Sequence, residues 1–271
     1  SQVPALQLLV ALGFTPLSQE EALRLRGGRL RNVVLDDVLA EQLMRINRFT
    51  HRAREYSFDL EDAHEAMRRL KPTPDRMKGL RGTNQDIYDS LVLGTTITKS
   101  IDGDSKSYSF RYIDWDQPEN NVFHVTAEYS VERTASSQTK RCDIVAFVNG
   151  IPILVIENKR PTESLKKADS QLIGYQNEDN IPQLFHFAQL LVSMNRNSAR
   201  YATVGTKSKF WAEWHDEEDT DEAIAPFANR VLAAAEKASV FSGDFAREHG
   251  FVQRTTTHRK GWVEGRKFAL V

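Results

Sequence analysis

Two nearly uninterrupted apolar runs, separated only by Asn149-Gly150, constrain the fold of this 271-residue chain more than any other feature. The runs cover residues 142–148 and Ile151–Asn158, and within them polar residues stand mainly at one end. A strand with one solvated face alternates polar and apolar residues, whereas a strand covered on both faces is apolar throughout. The pair is therefore predicted to form two neighbouring strands at the centre of a sheet.

The segments around this pair predict helices on a mixed sheet. Apolar residues at helical spacing predict helices at about 30–49, 60–70 and 84–93, with Thr83 capping the third and Gly94 ending it. Stretches rich in threonine, valine and aromatic side chains predict further strands at 108–113, 122–131, 185–192 and 200–204. One more helix is predicted at 164–176. The order predicts an α/β fold with a mixed central sheet flanked by helices and preceded by a helical N-terminal segment.

Changes in composition divide the chain into three parts: a helical segment over 1–95, a mixed core over 96–215, and an extension over 216–271. The extension is acidic over 216–221, alanine-rich and predicted helical over 222–240, and basic over 254–267. No apolar run approaches the roughly 20 residues of a membrane span, and the N-terminus lacks a signal-peptide pattern, so a cytoplasmic protein without membrane contact is predicted. The single cysteine, Cys142, excludes an intrachain disulfide and a cysteine zinc site. With 36 Lys and Arg against 37 Asp and Glu, the net charge favours no polyanionic partner.

Charged residues at one end of the apolar pair form a candidate site if the turn brings them together. A two-residue loop at Asn149-Gly150 puts Asp143 and Glu157 on opposite faces of the sheet. A three-residue loop over 148–150, with its glycine in the left-handed position of a bulge, puts Glu157 diagonally across from Asp143 on the same face. Lys159, two residues beyond Glu157, shares that face. The three-residue loop is the prediction that allows a shared site.

Two carboxylates and one ammonium group on a rigid face suit metal-assisted hydrolysis of a phosphodiester. Asp143 and Glu157 supply the hard oxygen ligands that Mg²⁺ prefers, and the backbone carbonyl of Asn158 is a third candidate ligand. The metal would lower the pKa of a bound water, while Lys159 would orient that water and stabilise the pentavalent transition state. The competing interpretation is an ordinary ion pair at the end of a strand.

These residues resemble the PD-(D/E)xK nuclease signature, and the surrounding sequence is more specifically similar to the N-terminal nuclease domain of the type I restriction enzyme R subunit. The likeness covers about residues 30–215, and it is carried by segments 113–116, 118–121, 143–159, the Gln-x-x-x-Tyr element at 171–175, and 199–214. Cys142 stands where many members have a proline before the aspartate, which is a backbone position.

The resemblance implies a restriction-endonuclease-like core that cleaves double-stranded DNA with Mg²⁺, in a complex with methylation and specificity subunits. In that family an ATP-driven translocase follows the nuclease on the same polypeptide. Residues 205–208 lack the second glycine of a phosphate-binding loop, so the chain is interpreted as the nuclease portion, with ATP bound only by an absent motor domain. Residues 216–271 are interpreted as the approach to that motor. Glu41 is a further candidate metal ligand, as helix glutamates are in some relatives of this fold.

Several other side chains are candidates for contact with DNA. Gln171 and Tyr175 lie four residues apart on one helix face and are predicted to reach the phosphate or to order metal-bound waters. Exposed cations near the site are predicted to neutralise backbone phosphates, namely Arg160, Lys166 and Lys167. Two basic stretches are weaker candidates, weighed against solvated surface: Arg24, Arg26, Arg29 and Arg31 near the N-terminus, and residues 254–267 at the end of the chain.

Two other functions stay open from the sequence. The same platform could serve a stand-alone repair or junction-cleaving nuclease, which would have no motor domain in its native gene. The sheet rim could instead bind phosphate without cutting, in a DNA-binding or assembly module. Alanine substitution of Asp143, Glu157 or Lys159 separates cutting from binding.

Overall fold

A computed structural model describes residues 2–73, 76–195, 198–213, 226, 231 and 233–240 of the chain. Its first half contains, in order, α1 Gln2–Ala11, β1 Thr15–Leu17, α2 Gln19–Leu25, α3 Asp36–Ile46, β2 Arg48–His51, β3 Arg54–Ser57, α4 Leu60–Leu70, α5 Gly79–Leu93, β4 Thr95–Ile101 and β5 Asp104–Phe110. Its second half contains β6 Phe123–Glu132, β7 Thr139–Val148, β8 Ile151–Asn158, α6 Leu165–Tyr175, α7 Pro182–Phe187, β9 Leu190–Met194, β10 Ala199–Ala202 and α8 Ala234–Val240.

A six-stranded mixed sheet in the order β1-β6-β7-β8-β9-β10 forms the centre of the fold. Strands β1 and β6 run parallel, as do β8 and β9, while the other neighbours are antiparallel. Hairpins β2–β3 and β4–β5 form two separate two-stranded sheets. The predicted α/β fold with a mixed sheet flanked by helices is confirmed.

Strands β7 and β8 are buried on both faces, as their apolar runs predict. One face belongs to a large core that α3, α4, α5 and α6 share, and it includes Phe147 and Val155. The other face packs against α1 through a smaller cluster that includes Leu6, Leu9 and Ile144. Full burial of each such side chain contributes about 1.5–3 kcal/mol, so helices on both sides hold the central pair.

The prediction that residues 1–95 are helical is only partly right. Strand β1 adds to the edge of the central sheet, and β2–β3 forms a hairpin within this segment. Strand β1 has only three residues, which are too few to show a period of alternating polar and apolar side chains. The β2–β3 hairpin turns at Arg52 and Ala53, which have positive φ angles although neither is the Gly or Asn usual at such positions. Neither element therefore carries a sequence signal of its own.

Helix boundaries differ from prediction where side chains bind backbone. Helix α3 begins at Asp36 rather than about residue 30, because the Asn32 amide donates to the Asp36 carboxylate at 2.8 Å and to the Arg26 carbonyl at 3.1 Å. Helix α5 begins five residues earlier than predicted, and Thr83 is not its N-cap residue. The Thr83 hydroxyl accepts the Lys78 N–H at 3.1 Å from inside the helix.

Two predicted strands are partly wrong. Residues 185–187 belong to α7, which begins with Pro182 at its first helical position. The apolar run at 185–192 therefore includes the end of a buried helix and then part of β9. The strand predicted at 108–113 ends at Phe110, since the Asn47 side chain captures the Arg111 N–H at 2.8 Å. The other core predictions agree with the structure within a few residues.

The turn between β7 and β8 has two residues, so the three-residue loop predicted from the sequence is wrong. Asn149 and Gly150 have φ angles of 50° and 82°, and Val148 pairs with Ile151 across them. Two successive positive φ angles characterise the type I′ turn that matches strand twist. A Cβ at Gly150 would lie 2.6 Å from the Leu35 carbonyl oxygen, so only glycine fits this turn.

A bulge further along the hairpin sets the register at the site. Phe147 pairs with Pro152, but Ala146 pairs with Leu154, which leaves Ile153 as an extra residue in β8. Pro152 has no N–H for the ladder, and prolines inside a sheet occur at such bulges. The Ile153 carbonyl instead accepts the Gln189 N–H at 2.8 Å.

Beyond the bulge, Ile144 pairs with Ile156. Continuing this register by one residue places Asp143 directly opposite Glu157 rather than diagonal to it. The predicted shared face is therefore present, but the bulge produces it and the turn does not.

In the part of the chain that the structure describes, no helix is long and apolar enough to cross a membrane. Helix α8 falls within the alanine-rich stretch predicted to be helical. The predictions for Trp214, for the acidic stretch at 216–221 and for the basic tail at 254–267 lie outside the described residues.

Candidate active site

Asp143, in the middle of β7, and Glu157, near the end of β8 away from the turn, form the centre of the site. The Glu157 side chain is 1% exposed, and its Oε1 accepts a hydrogen bond from Lys159 Nζ at 2.8 Å. Asp143 Oδ2 accepts the Asn158 N–H at 2.7 Å. The structure thus brings together the three side chains predicted to carry the chemistry.

One oxygen of this pair has no hydrogen-bond partner. Glu157 Oε2 is buried and accepts no hydrogen bond from any residue that the structure describes. A buried carboxylate oxygen without a partner is costly, and each such case in a native structure calls for a physical explanation. A divalent cation between Asp143 and Glu157 would provide the missing contact.

The backbone at Asn158 supports the same position for a cation. The Lys159 N–H donates to the Met194 carbonyl on β9 at 2.9 Å. In a trans peptide the preceding carbonyl points the opposite way, so the Asn158 carbonyl is directed toward β7 and Asp143. Among the described residues no group of three or more Asp, Glu, His and Cys side chains converges as a metal site. The fitting donor set is two carboxylates and this carbonyl, a hard-oxygen set that suits Mg²⁺.

Gln171 contacts Lys159 directly, and Tyr175 is linked to Lys159 through Gln171. Lys159 Nζ donates to Gln171 Oε1 at 2.8 Å, and Gln171 Nε2 donates to the Tyr175 hydroxyl at 2.6 Å. The Tyr175 hydroxyl in turn donates to the Arg141 carbonyl on β7 at 3.1 Å. This chain of hydrogen bonds fixes the ammonium group between Glu157 and helix α6.

Burial and mutual repulsion change the acidity of the carboxylates. The pKa of Glu157 is raised to about 7, chiefly by desolvation and next by the negative charge of Asp143, while Lys159 opposes the shift. Desolvation also raises the pKa of Asp143, while the hydrogen bond from Asn158 lowers it. Both groups are therefore poised to gain from a nearby positive charge, because a cation favours their ionised forms.

Glu128 and Arg141 are parts of this region that the sequence analysis missed. Ala127 pairs with Ile144 and Tyr129 with Cys142, so Glu128 on β6 stands beside Asp143. Glu128 is 5% exposed and forms an ion pair with Arg141. A charged residue inside the apolar run at 122–131 was the available signal, and the β6–β7 register was needed to interpret it.

The remaining predicted residues are spread more widely. Arg160, Lys166 and Lys167 are exposed just beyond β8 and at the start of α6, and Lys167 pairs with Glu163 at 3.5 Å. They border the site without contacting its carboxylates.

The structure does not bring Glu41 to the site. Its helix, α3, begins beside the Asn149–Gly150 turn, where the Leu35 N–H donates to the Gly150 carbonyl at 2.9 Å. Asp143 is six residues along β7 from that turn, or roughly 20 Å. Glu41 instead lines a groove with His64 and Arg68.

The first basic stretch is partly internal. Arg26 is 3% exposed, lies 4.4 Å from the centre of the Tyr129 ring and donates to the Ser130 carbonyl at 2.8 Å. It is therefore a packing residue and not available to DNA. Arg31 is exposed and pairs with Glu132 at 2.8 Å.

Comparisons with known proteins point in one direction. The chain is 26% identical over 172 residues to the type I restriction enzyme HindI endonuclease subunit of Haemophilus influenzae, a match covering 57% of this chain and 16% of that protein. It is 32% identical over 81 residues to the type I restriction enzyme SsaAORF53P endonuclease subunit of Staphylococcus saprophyticus, covering 30% and 8%. It is 30% identical over 118 residues to the type I restriction enzyme SauCOLORF180P endonuclease subunit of Staphylococcus aureus, covering 43% and 12%. The chain spans at most 16% of the length of these relatives.

The profile of one protein family, described as "Type I restriction enzyme R protein N terminus", matches residues 1–210. The match starts at residue 1 rather than at about residue 30, so α1, β1 and α2 lie inside the family domain. It covers more than half of the chain, including both carboxylates and Lys159. This chain belongs to the type I restriction enzyme R protein N terminus family.

Proposed function

We propose that this chain is the Mg²⁺-dependent endonuclease domain of a type I restriction enzyme R subunit, cleaving phosphodiester bonds of double-stranded DNA. The observation that carries the proposal is the facing pair Asp143 and Glu157, with one buried oxygen of Glu157 unsatisfied and Lys159 attached to the other. An ion pair with a purely structural role would have no reason to leave that oxygen without a partner. The names of the relatives, endonuclease subunits of type I restriction enzymes, support the same activity.

Asp143, Glu157 and the Asn158 carbonyl would hold the cation. When bound, Mg²⁺ would acidify a coordinated water and neutralise charge on the scissile phosphate. Because burial already raises the pKa values of both carboxylates, they would bind the ion in a water-poor setting where electrostatic interactions are strong.

Lys159 would act on the reacting groups directly. Its ammonium group has Glu157 and Gln171 as neighbours at 2.8 Å each, so its position is set from two sides. From there it would orient the attacking water and donate to the phosphate oxygen on which charge develops. Gln171 and Tyr175 would serve as positioning residues that hold this amine.

The larger assembly is also a proposal. Methylation and specificity subunits would select the DNA, and an ATP-driven motor elsewhere in the R subunit would bring DNA to the site. Arg160, Lys166 and Lys167 would neutralise backbone phosphates next to the cut.

Calorimetric titration with Mn²⁺ tests the metal site without requiring cleavage. Wild type is expected to bind one equivalent or more with measurable heat, and Glu157→Gln is expected to lose it. Asp116→Asn is the matched control, since Asp116 is 81% exposed and lies outside the site. Equal heats for wild type and Glu157→Gln would contradict the metal assignment.

Cleavage by the complete complex separates nuclease from binding module. Alanine at Asp143, Glu157 or Lys159 is expected to abolish cutting while DNA binding and translocation persist. Cutting that survives in all three variants would refute the nuclease assignment. Full cutting by the R subunit alone, without its proposed partners, would favour a stand-alone nuclease.

A further inference from the structure

The half-exposed Arg141 and the buried Glu128 form an ion pair unlike the other pairs near the sheet. The Glu128 side chain is 5% exposed and the Arg141 side chain 55% exposed. The pairing uses Nε of Arg141. Neither terminal amino group of this guanidinium has a partner among the residues that the structure describes. A half-exposed guanidinium with four further N–H donors therefore lies near Asp143 and Glu157.

The backbone at Glu128 is held in an unusual conformation to make this pair. Its φ angle is 54°, in the left-handed region, although the residue lies in the middle of β6. Glutamate rarely adopts this region, and such a conformation costs about 1 kcal/mol or more. Gln2 supports it by donating from Nε2 to Glu128 Oε1 and to the Asp143 carbonyl, both at 2.8 Å. Backbone strain that neighbours maintain beside a reactive site points to a positioning role.

Arg141 stands on β7 two residues before Asp143, which is roughly 6.6 Å along the strand. A guanidinium at that distance, anchored through one nitrogen, presents the bidentate geometry that phosphate oxygens match. It also offsets part of the negative charge of Glu128, Asp143 and Glu157, which would otherwise repel DNA. We propose that Arg141 binds a DNA phosphate next to the one that is cut, and that Glu128 is the positioning residue that holds its guanidinium.

This inference rests on the proposed function, since it names how that site engages its substrate. Binding is measured by fluorescence anisotropy on a duplex of about 20 base pairs, from about 50 to about 200 mM salt. All proteins in this assay carry Glu157→Gln, so that the duplex is not cleaved during the measurement. Arg141→Gln is expected to weaken binding by about 5- to 10-fold and to reduce the slope of log affinity against log salt by about one. Arg141→Lys should restore part of the affinity, because it keeps the charge but loses the fork.

Arg54→Gln is the matched control. It removes the same charge from an exposed position on β3, outside the central sheet, and is expected to leave affinity and slope unchanged. Thermal unfolding of Arg141→Gln should stay cooperative with a midpoint above the assay temperature, although loss of the Arg141 charge leaves the buried Glu128 without its cation and lowers stability. An unchanged affinity and slope for Arg141→Gln would overturn the phosphate contact. A parent protein that binds no duplex at any salt concentration would instead count against DNA as the substrate.

Glu128→Gln tests the positioning role, because that role and simple electrostatics predict opposite changes in DNA affinity. Removing a negative charge from a DNA-binding face should strengthen binding, whereas loss of the anchor for Arg141 should weaken it by about 3-fold. The weakening should disappear when Glu128→Gln is combined with Arg141→Gln. Tighter binding by Glu128→Gln in both backgrounds would overturn the role assigned to Glu128.

Discussion

Helix α6 borders two buried charged clusters that differ in how completely their groups are paired. The first, which we call the catalytic cluster after its proposed role, consists of Asp143, Glu157 and Lys159. The second, the Asp169 cluster, consists of Asp169, Ser193, Arg200 and Ser208. Both clusters join α6 to the central sheet, and each contains a carboxylate that is at most 1% exposed.

The Asp169 cluster is balanced. Asp169 forms an ion pair with Arg200 and accepts the hydroxyls of Ser193 and Ser208 at 2.5 and 3.2 Å. Arg200 uses its other amino group on the carbonyls of Ser208 and Trp211 at 3.0 and 2.9 Å. Each buried charge has an opposite charge and further hydrogen bonds, as a structural pair requires.

The catalytic cluster has two carboxylates against one ammonium group and leaves Glu157 Oε2 without a partner among the described residues. This imbalance costs stability in the absence of a cation. The comparison teaches that completeness of hydrogen bonding, rather than burial or charge alone, distinguishes a structural cluster from one that awaits a ligand.

The largest expected effect separates the clusters by activity. In the complete complex, Glu157→Gln should lower the cleavage rate by about 10³-fold, because a metal ligand and the partner of Lys159 are lost together. Its free energy of unfolding should not fall. Asp169→Asn in the same assay should keep most of its activity per folded molecule. Comparable rates for Glu157→Gln and wild type would remove the distinction.

The reverse contrast appears in stability. Asp169→Ala leaves the Arg200 charge buried without its partner and should reduce the free energy of unfolding by about 3–5 kcal/mol, measured by urea denaturation. Asp116→Ala, at an exposed site, should change it by less than about 0.5 kcal/mol. If Asp169→Ala is as stable as this control, the second cluster is not structural.

The raised pKa of Glu157 predicts a pH dependence of the stability that the catalytic cluster contributes. Unfolded Glu157 ionises near its ordinary pKa of 4.5, but folded Glu157 keeps its proton until about pH 7. As the pH rises from 4.5 to about 7, the free energy of unfolding of metal-free wild type should therefore fall relative to that of Glu157→Gln, by on the order of 2 kcal/mol. Above about pH 7 the difference should stay constant. Urea denaturation of both proteins in EDTA from pH 4.5 to 8 measures the difference. A difference that stays constant with pH would contradict the shift.

The smallest effects concern the residues that hold Lys159. Gln171→Ala removes a hydrogen-bond partner of the amine and should lower the cleavage rate by about 10-fold, while Tyr175→Phe should lower it by about 3-fold. Heats of Mn²⁺ binding should remain those of wild type, since neither residue is a metal ligand. Loss of metal binding in either variant would show that these residues support the carboxylates instead.

Prediction from sequence selected three residues that the structure brings together, but not the geometry that unites them. Asp143, Glu157 and Lys159 were identified because charged groups at the end of apolar strands are unusual. The expected three-residue turn is absent, and the bulge at Ile153 provides the register. Pro152 was the overlooked signal, since a proline inside a central strand indicates a bulge. Glu128 was missed because its position beside Asp143 depends on the pairing of a strand some 15 residues earlier in the chain.

The amino-acid sequence alone determined the central strand pair, the helices that end at Leu70 and Gly94, and the residue types of the site, because these depend on local propensity and apolar period. Only the tertiary structure decided the register of the carboxylates and which charged cluster is fully paired. Those outcomes depend on groups distant in sequence: Gln189 bonding the bulged carbonyl, Arg200 and Ser208 completing Asp169, and no residue of the described chain completing Glu157.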